Sequence, residues 1–182
     1  MSFEEMVWLF NCGKESRGLI RISLDEAALL YKTIKAKEKP KVLEIGRYKG
    51  GSTLLIALAN SVVLDSVDIK PQDDKYIEQK LKEFGNGSHV NLLVGDASKI
   101  DIENGAYDVV FVDGDHSYEG IKKDYLIAKK AAKVGADLLF HDFGRSQEGV
   151  LKLLQEVREK DKELKWIETV NTLAHFKKVL EK

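Results

Sequence analysis

Val42-Leu43-Glu44-Ile45-Gly46-Arg47-Tyr48-Lys49-Gly50-Gly51-Ser52-Thr53 runs from an apolar strand through a glycine-containing turn into a helix start. The helix that follows, Leu54 to Ala59, is apolar on nearly every side, which puts it in the interior. Glycine allows positive φ and lets a ligand approach the backbone. Free N–H groups at a helix start can hold an anion. The glycines fall at 46, 50 and 51 with Tyr48 between them. That departs from the G-x-G-x-x-G spacing of dinucleotide folds. A pyrophosphate on this turn would meet the Tyr48 side chain.

Outward from this stretch, five apolar runs end in an acid or an imidazole. Lys41 to Leu43 leads into Glu44, Val62 to Val67 into Asp68, and Val90 to Val94 into Asp96. Val109 to Val112 leads into Asp113, and Leu138 to Phe140 into His141-Asp142. Helical patterns separate the runs: Ile77, Leu81 and Phe84; then Ile121, Tyr125, Ala128 and Ala132, closed by Gly135; then Val150, Leu153, Leu154 and Val157. Strand alternating with helix predicts an α/β domain, a parallel sheet with helices on both faces. Ligands of such sheets bind at the carboxyl ends of the strands, so the acids read as one site. Runs 164–170 and 172–179 lie too close together for a crossover helix and predict an antiparallel hairpin.

Before the core unit, residues 2–12 carry Phe3, Met6, Val7 and Phe10 at helical spacing, with Ser2 and Glu5 as a capping box. A second helix starts at Ser23, with Glu26 as its capping-box partner, and stops before Pro40. The chain reads as one domain, residues 1–182. Residues 1–22 form an N-terminal helix and lead-in that could serve as a lid, and 23–182 form the catalytic core.

The net charge of −1 offers no global field for nucleic acid or an anionic membrane, so both partners are disfavoured. A local basic stretch from Lys35 to Lys41 keeps nucleic-acid modification open. Cys12 is the only cysteine, which excludes an intrachain disulfide and fits a reducing, cytoplasmic location. The acidic N-terminus does not read as a signal peptide, and no apolar stretch is long enough to span a bilayer.

Asp68 stands where these sheets place a carboxylate for ribose hydroxyls. Glu44, beneath the turn, suits a ligand ammonium or water-mediated contacts. Two acids would repel a phosphate. A ligand with ribose hydroxyls and an amino group but no phosphate fits, and S-adenosylmethionine is such a ligand. Each feature alone has a plainer reading, the turn as an ordinary βα connection and the acid as a helix cap.

Phe111-Val112-Asp113-Gly114-Asp115-His116-Ser117-Tyr118-Glu119-Gly120 is the densest chemical segment. Asp113 and Asp142, from adjacent strand ends, could hold half of a divalent-cation site. Such an ion lowers the pKa of a bound hydroxyl, and His116 could take the proton. Asp115 and Ser117 compete for the cap of the next helix. His141 reads either as reactive or as a hydrogen-bonded core residue, and Tyr118 as a ligand cover or a helix anchor. His89 and His175 read as structural.

Leu43-Glu44-Ile45-Gly46 with Gly50-Gly51-Ser52-Thr53, then Val112 through Gly120, then Phe140-His141-Asp142 resemble the class I S-adenosylmethionine-dependent methyltransferases. The resemblance is to the branch that includes macrocin O-methyltransferase and the cephalosporin hydroxylase-type proteins, and it covers residues 18–179. It implies a Rossmann-like three-layer sandwich with strand order 3-2-1-4-5-7-6 and strand seven antiparallel. It implies that Gly46, Tyr48, Gly50 and Ser52 hold the methionine part of the cofactor. Asp68 with Ile69 would take the ribose, and Asp96 with Ala97 would flank the adenine. In the metal-dependent branch the residue matching Asp113 binds Mg2+ and the one matching His116 is the base. An acidic pair matches His141-Asp142. His141 therefore stands where that branch has a carboxylate; imidazole suits transition ions better, or His141 shares the base role.

The implied activity is methyl transfer to a hydroxyl of a small-molecule acceptor. The alternatives are an S-adenosylmethionine-binding module without transfer and an NAD(P)-dependent oxidoreductase, the latter disfavoured by the glycine spacing. With no long insertion to cover an acceptor, the pocket is expected to be shallow, closed by the N-terminal helix, or completed by a second subunit in a homodimer. Trp8 and Phe10 are candidates for lid, interface or core.

Overall fold

The computed structural model describes residues 1–10 and 19–179. Its seven strands are β1 (Lys41–Ile45), β2 (Val63–Asp68), β3 (His89–Val94), β4 (Tyr107–Val112), β5 (Ala132–Phe140), β6 (Leu164–Val170) and β7 (Leu173–Lys178). The helices are α1 (Leu24–Lys35), α2 (Gly51–Ala59), α3 (Asp74–Phe84), α4 (Tyr118–Ala131) and α5 (Glu148–Lys160). The sheet order is β3-β2-β1-β4-β5-β7-β6. β1 to β5 pair in parallel, and β7 runs antiparallel to both β5 and β6. This is the fold of the class I S-adenosylmethionine-dependent methyltransferases.

Strand alternation sorts the core into two layers. Val42, Leu64, Val109, Phe111 and Leu139 face α1, α2 and Ile77 of α3. Leu43, Ile45, Val110, Val112, Leu138 and Phe140 face α4 and α5. All nine residues of α2 are buried, as its composition predicts.

The N-terminal segment forms a 3-10 helix, Glu4–Phe10, and its predicted cap is present: Ser2 N–H donates to Glu5 at 2.6 Å. Residues 11–12 of that predicted helix lie outside the described residues. Gly135 does not close a helix. It sits inside β5 at φ +84°, where the register with β4 shifts between Tyr107 and Val109. The helix has already ended at Ala131, and glycine there serves a strand irregularity instead. Phe10 packs on Phe3 with ring centroids 5.9 Å apart and against the α1–α2 core layer. The Trp8 side chain lies outside the described residues.

Candidate active site

A cavity of about 940 Å³ opens at the carboxyl ends of β1 to β5. Its floor is the turn Gly46–Tyr48. Gly46 has φ +92°, and a Cβ there would stand 2.1 Å from the Asp113 carbonyl oxygen, so only glycine lets the turn pass the end of β4. Gly46, Tyr48, Ser52, Asp68, Ile69, Asp96, Ala97, Asp113, His116, His141 and Asp142 all line this one cavity. The five strand ends do converge.

Two predicted ligand contacts lie elsewhere. Glu44 is fully buried and does not line the cavity. It is the penultimate residue of β1, so alternation turns its side chain into the α2 layer. There it accepts hydrogen bonds from Ser52, Thr53 and Ser66, each at 2.5 Å. Burial raises its pKa against the pull of those hydroxyls and of Arg47. Glu44 therefore holds the turn from below and is not placed to meet a ligand ammonium. Gly50 caps α2 at φ +80° with the Ile77 side chain where a Cβ would be. Its need for glycine comes from that left-handed backbone, with the packing of Ile77 added.

Asp68 points back at the turn. Its Oδ2 accepts the N–H groups of Arg47 at 2.9 Å and Tyr48 at 2.8 Å, and Oδ1 accepts that of Lys70 at 3.0 Å. Asp96 caps the short 3-10 turn Ala97–Lys99 through Ser98.

At the opposite end of the cavity, imidazoles and carboxylates interleave. His116 Nε2 lies 2.9 Å from Asp142 Oδ2, off the line of a hydrogen bond, and 3.7 Å from Asp113 Oδ1. His141 Nδ1 lies 3.2 Å from Asp113 Oδ1, and its Nε2 lies 3.5 Å from Glu26 Oε2. Asp142 itself has φ +61°, an unusual backbone for a side-chain-bearing residue. Burial alone would lower the pKa of His141; Asp113 and Asp142 outweigh it and push it up to about 10. Burial raises the Asp113 pKa, but the two imidazoles beside it prevail and hold it down at about 2. The Asp113 carboxylate beside it raises the pKa of His116, with Asp142 adding to the rise and burial opposing.

Asp113, His141 and Asp142 each offer a donor atom within 4.8 Å of the others. Both ring nitrogens of His141 face carboxylates, Nδ1 those of Asp113 and Asp142 and Nε2 that of Glu26. Protonated, the ring neutralises these acids; neutral, and held through Nε2 by Glu26, it could offer Nδ1 to an ion shared with Asp113 and Asp142.

Several residues at the site went unread in the sequence. Glu26 does cap α1, accepting the Ser23 N–H at 2.7 Å. Its other oxygen accepts the Thr172 N–H at 2.8 Å and hydroxyl at 2.7 Å, which links α1 to the β6–β7 turn beside His141. Burial raises Glu26, but these bonds prevail and hold it at about 2. Asp124 lines the cavity from α4, with burial, and Asp115 and Asp96 nearby, holding it up at about 6. An acid beside the apolar stripe Ile121–Tyr125 was the available signal. Ser117, not Asp115, caps α4, accepting from Gly120 N–H at 3.1 Å, and Asp115 accepts from Ser117 N–H. Tyr118 bonds Glu156 of α5 at 3.0 Å, so it anchors the helix. Residues 19–22 also form part of the wall.

The pattern of a methyltransferase domain family matches residues 43–143, more than half of the chain. The chain belongs to this methyltransferase domain family. A protein of Mycobacterium sp. (strain JLS) named "Putative O-methyltransferase" is 32% identical to this methyltransferase-family chain over 93 residues, 48% of the chain and 42% of the relative. A protein of Acanthamoeba polyphaga mimivirus, R132, is 26% identical over 117 residues, 59% and 53% of the two. The chain thus spans about half the length of the curated relatives it matches. Among solved structures, the O-methyltransferase TomG of Streptomyces achromogenes, in complex with SAM and involved in tomaymycin synthesis, superposes with a TM-score of 0.71. It is 17% identical, with 97% of this chain and 89% of TomG covered. The tRNA (m1A58) methyltransferase TrmI of Aquifex aeolicus gives a TM-score of 0.70 at 17% identity, covering 100% and 77%. At such identities the likeness is one of fold. Among the described residues no helix is long and apolar enough to cross a membrane.

Proposed function

We propose that this methyltransferase-family chain uses S-adenosylmethionine to methylate a hydroxyl of a small molecule. The observation that carries the reading is the single cavity joining the glycine turn and Asp68 at one end to His116, Asp113, His141 and Asp142 at the other. Its volume lies within the range of small-molecule sites. Its acids suit a cationic ligand that carries ribose hydroxyls and no phosphate.

When bound, S-adenosylmethionine supplies an electrophilic methyl on a sulfonium. The turn would hold the methionine part and Asp68 the ribose, and Asp96 with Ala97 would flank the base. Asp113, flanked by two imidazoles, lies at the acceptor end of the cavity. His116, with a side chain 39% exposed, is the group that can reach an acceptor hydroxyl and take its proton. His141, a clasped cation, balances Asp113 and Asp142 and keeps them in place. Most of the acceleration comes from alignment of the two reactants. The acid-lined cavity and the near-zero net charge favour a small acceptor over a nucleic acid.

Calorimetric titration with S-adenosylhomocysteine, with NADH as control, tests the reading. Micromolar binding of S-adenosylhomocysteine alone supports it. Absence of binding by folded protein sinks it, and preference for NADH returns the oxidoreductase alternative. Binding without turnover on any hydroxylated acceptor leaves a cofactor-binding module.

A further inference from the structure

We infer that Arg47 is a positioning residue for the nucleoside half of the cofactor, acting through Asp68. The inference rests on the cofactor reading above.

The Arg47 side chain is fully buried beneath the cavity floor. Its Nε and one terminal nitrogen meet the two oxygens of Asp74 at 3.0 and 3.1 Å, a bidentate pair. The other terminal nitrogen donates to the Ser66 carbonyl at 2.6 Å and the Leu93 carbonyl at 3.2 Å. One guanidinium thus ties the turn after β1 to β2, to β3 and to the first turn of α3. Those elements carry the expected ribose and adenine contacts, Asp68 and Asp96.

The guanidinium spends its donors on these protein acceptors, so Arg47 acts on a ligand through its backbone. The N–H groups of Arg47 and Tyr48 converge on Asp68 Oδ2, and that of Lys70 holds Oδ1. A carboxylate accepts about four hydrogen bonds. Three are taken, so one position on Oδ1 is left for a ribose hydroxyl. The aim of that position is set by the turn, and Tyr48 holds the turn in the left-handed region at φ +47°, which needs outside support. Arg47 supplies the support. Lysine has no planar fork and only three donors, so it cannot meet both Asp74 oxygens and two carbonyls at once.

The test measures S-adenosylhomocysteine and its 2′,3′-dideoxyribose analogue by calorimetry against wild type, Arg47→Lys and Asp74→Asn. Asp74→Asn leaves the turn's own sequence intact, so it reads the same link if Arg47→Lys folds poorly. The expected result is about tenfold weaker S-adenosylhomocysteine binding in both variants, with the dideoxy analogue weakened far less, because the loss sits in ribose recognition. Wild-type affinity in the variants, or equal weakening of both ligands, overturns the inference while the cofactor reading stands. Failure of the wild-type chain to bind S-adenosylhomocysteine overturns the cofactor reading itself, and the inference with it.

Discussion

His141 Nδ1 stands 3.2 Å from Asp113 Oδ1, although the two residues follow different strands. Parallel pairing of β4 with β5, Val112 opposite Phe140, brings the next residues of both strands side by side. The contact holds the Asp113 carboxylate in the cavity wall, and Glu26 holds the far side of the ring. The reacting end of the site is therefore built from α1, β4, β5 and the β6–β7 turn together.

His116→Ala is expected to lower methyl transfer about 100-fold, the range for loss of a general base. Binding of S-adenosylhomocysteine stays at the wild-type value, since His116 lies at the acceptor end. Because Asp113 raises the pKa of His116, kcat/KM rises with pH through a midpoint above 6.5, where the neutral base forms. A flat profile in that region, with normal turnover in the variant, removes His116 from the chemistry.

Divalent-ion removal checks the clasped-histidine reading of His141. Turnover after EDTA treatment should equal that of untreated protein. A tenfold fall restored by Mg2+ or Mn2+ would falsify it and return Asp113, His141 and Asp142 to service as metal ligands.

Asp124 gives a pH signature in stability. Its folded pKa is raised to about 6 from 3.8, so the folded chain keeps a proton that the unfolded chain releases. Stability contributed by that proton is lost as pH climbs from 3.8 to about 6. Asp124→Asn should flatten this slope and raise stability at pH 7 by about 1 kcal/mol, a figure reduced for partial exposure. Thermal unfolding at pH 4 and pH 7 measures it; a variant less stable at both values contradicts the assignment.

Arg47→Met strips one partner from a largely buried ion pair and should cost about 3 kcal/mol. Adding Asp74→Leu to it should cost less than the sum of the two single changes, since each removal already breaks the pair. Urea unfolding of the four proteins reads the coupling, and strict additivity would show that the bond contributes nothing.

Gly51→Ala probes the wall formed by residues 19–22. An added Cβ would stand 2.4 Å from Ile20 Cα, a backbone contact that cannot yield without moving the segment. A loss of about 1–3 kcal/mol is expected. An unchanged melting temperature would mean that the segment does not rest on α2.

Much of this protein was legible in one dimension because the relevant physics is local. Period-two and period-3.6 patterns and turn glycines placed the strands, most of the helices and the terminal hairpin. The acids and the imidazole that close the runs at Asp68, Asp96, Asp113 and His141-Asp142 marked the site, since a parallel sheet gathers strand ends on one side. Ser23 with Glu26 was readable as a cap because both partners lie within one helical turn.

Direction and reuse were decided only in three dimensions. Glu44 sits in the same sequence pattern as the other acids, yet strand alternation sends it under three hydroxyls and away from the cavity. Glu26 serves a local cap with one oxygen and a residue far along the chain, Thr172, with the other. Arg47 looks like any turn residue until β2, β3 and α3 surround it. Sequence sets which groups a segment carries and the period with which they face outward. The pairing of distant segments sets which groups meet, because hydrogen bonds and ion pairs act over a few ångströms that only the packed chain defines.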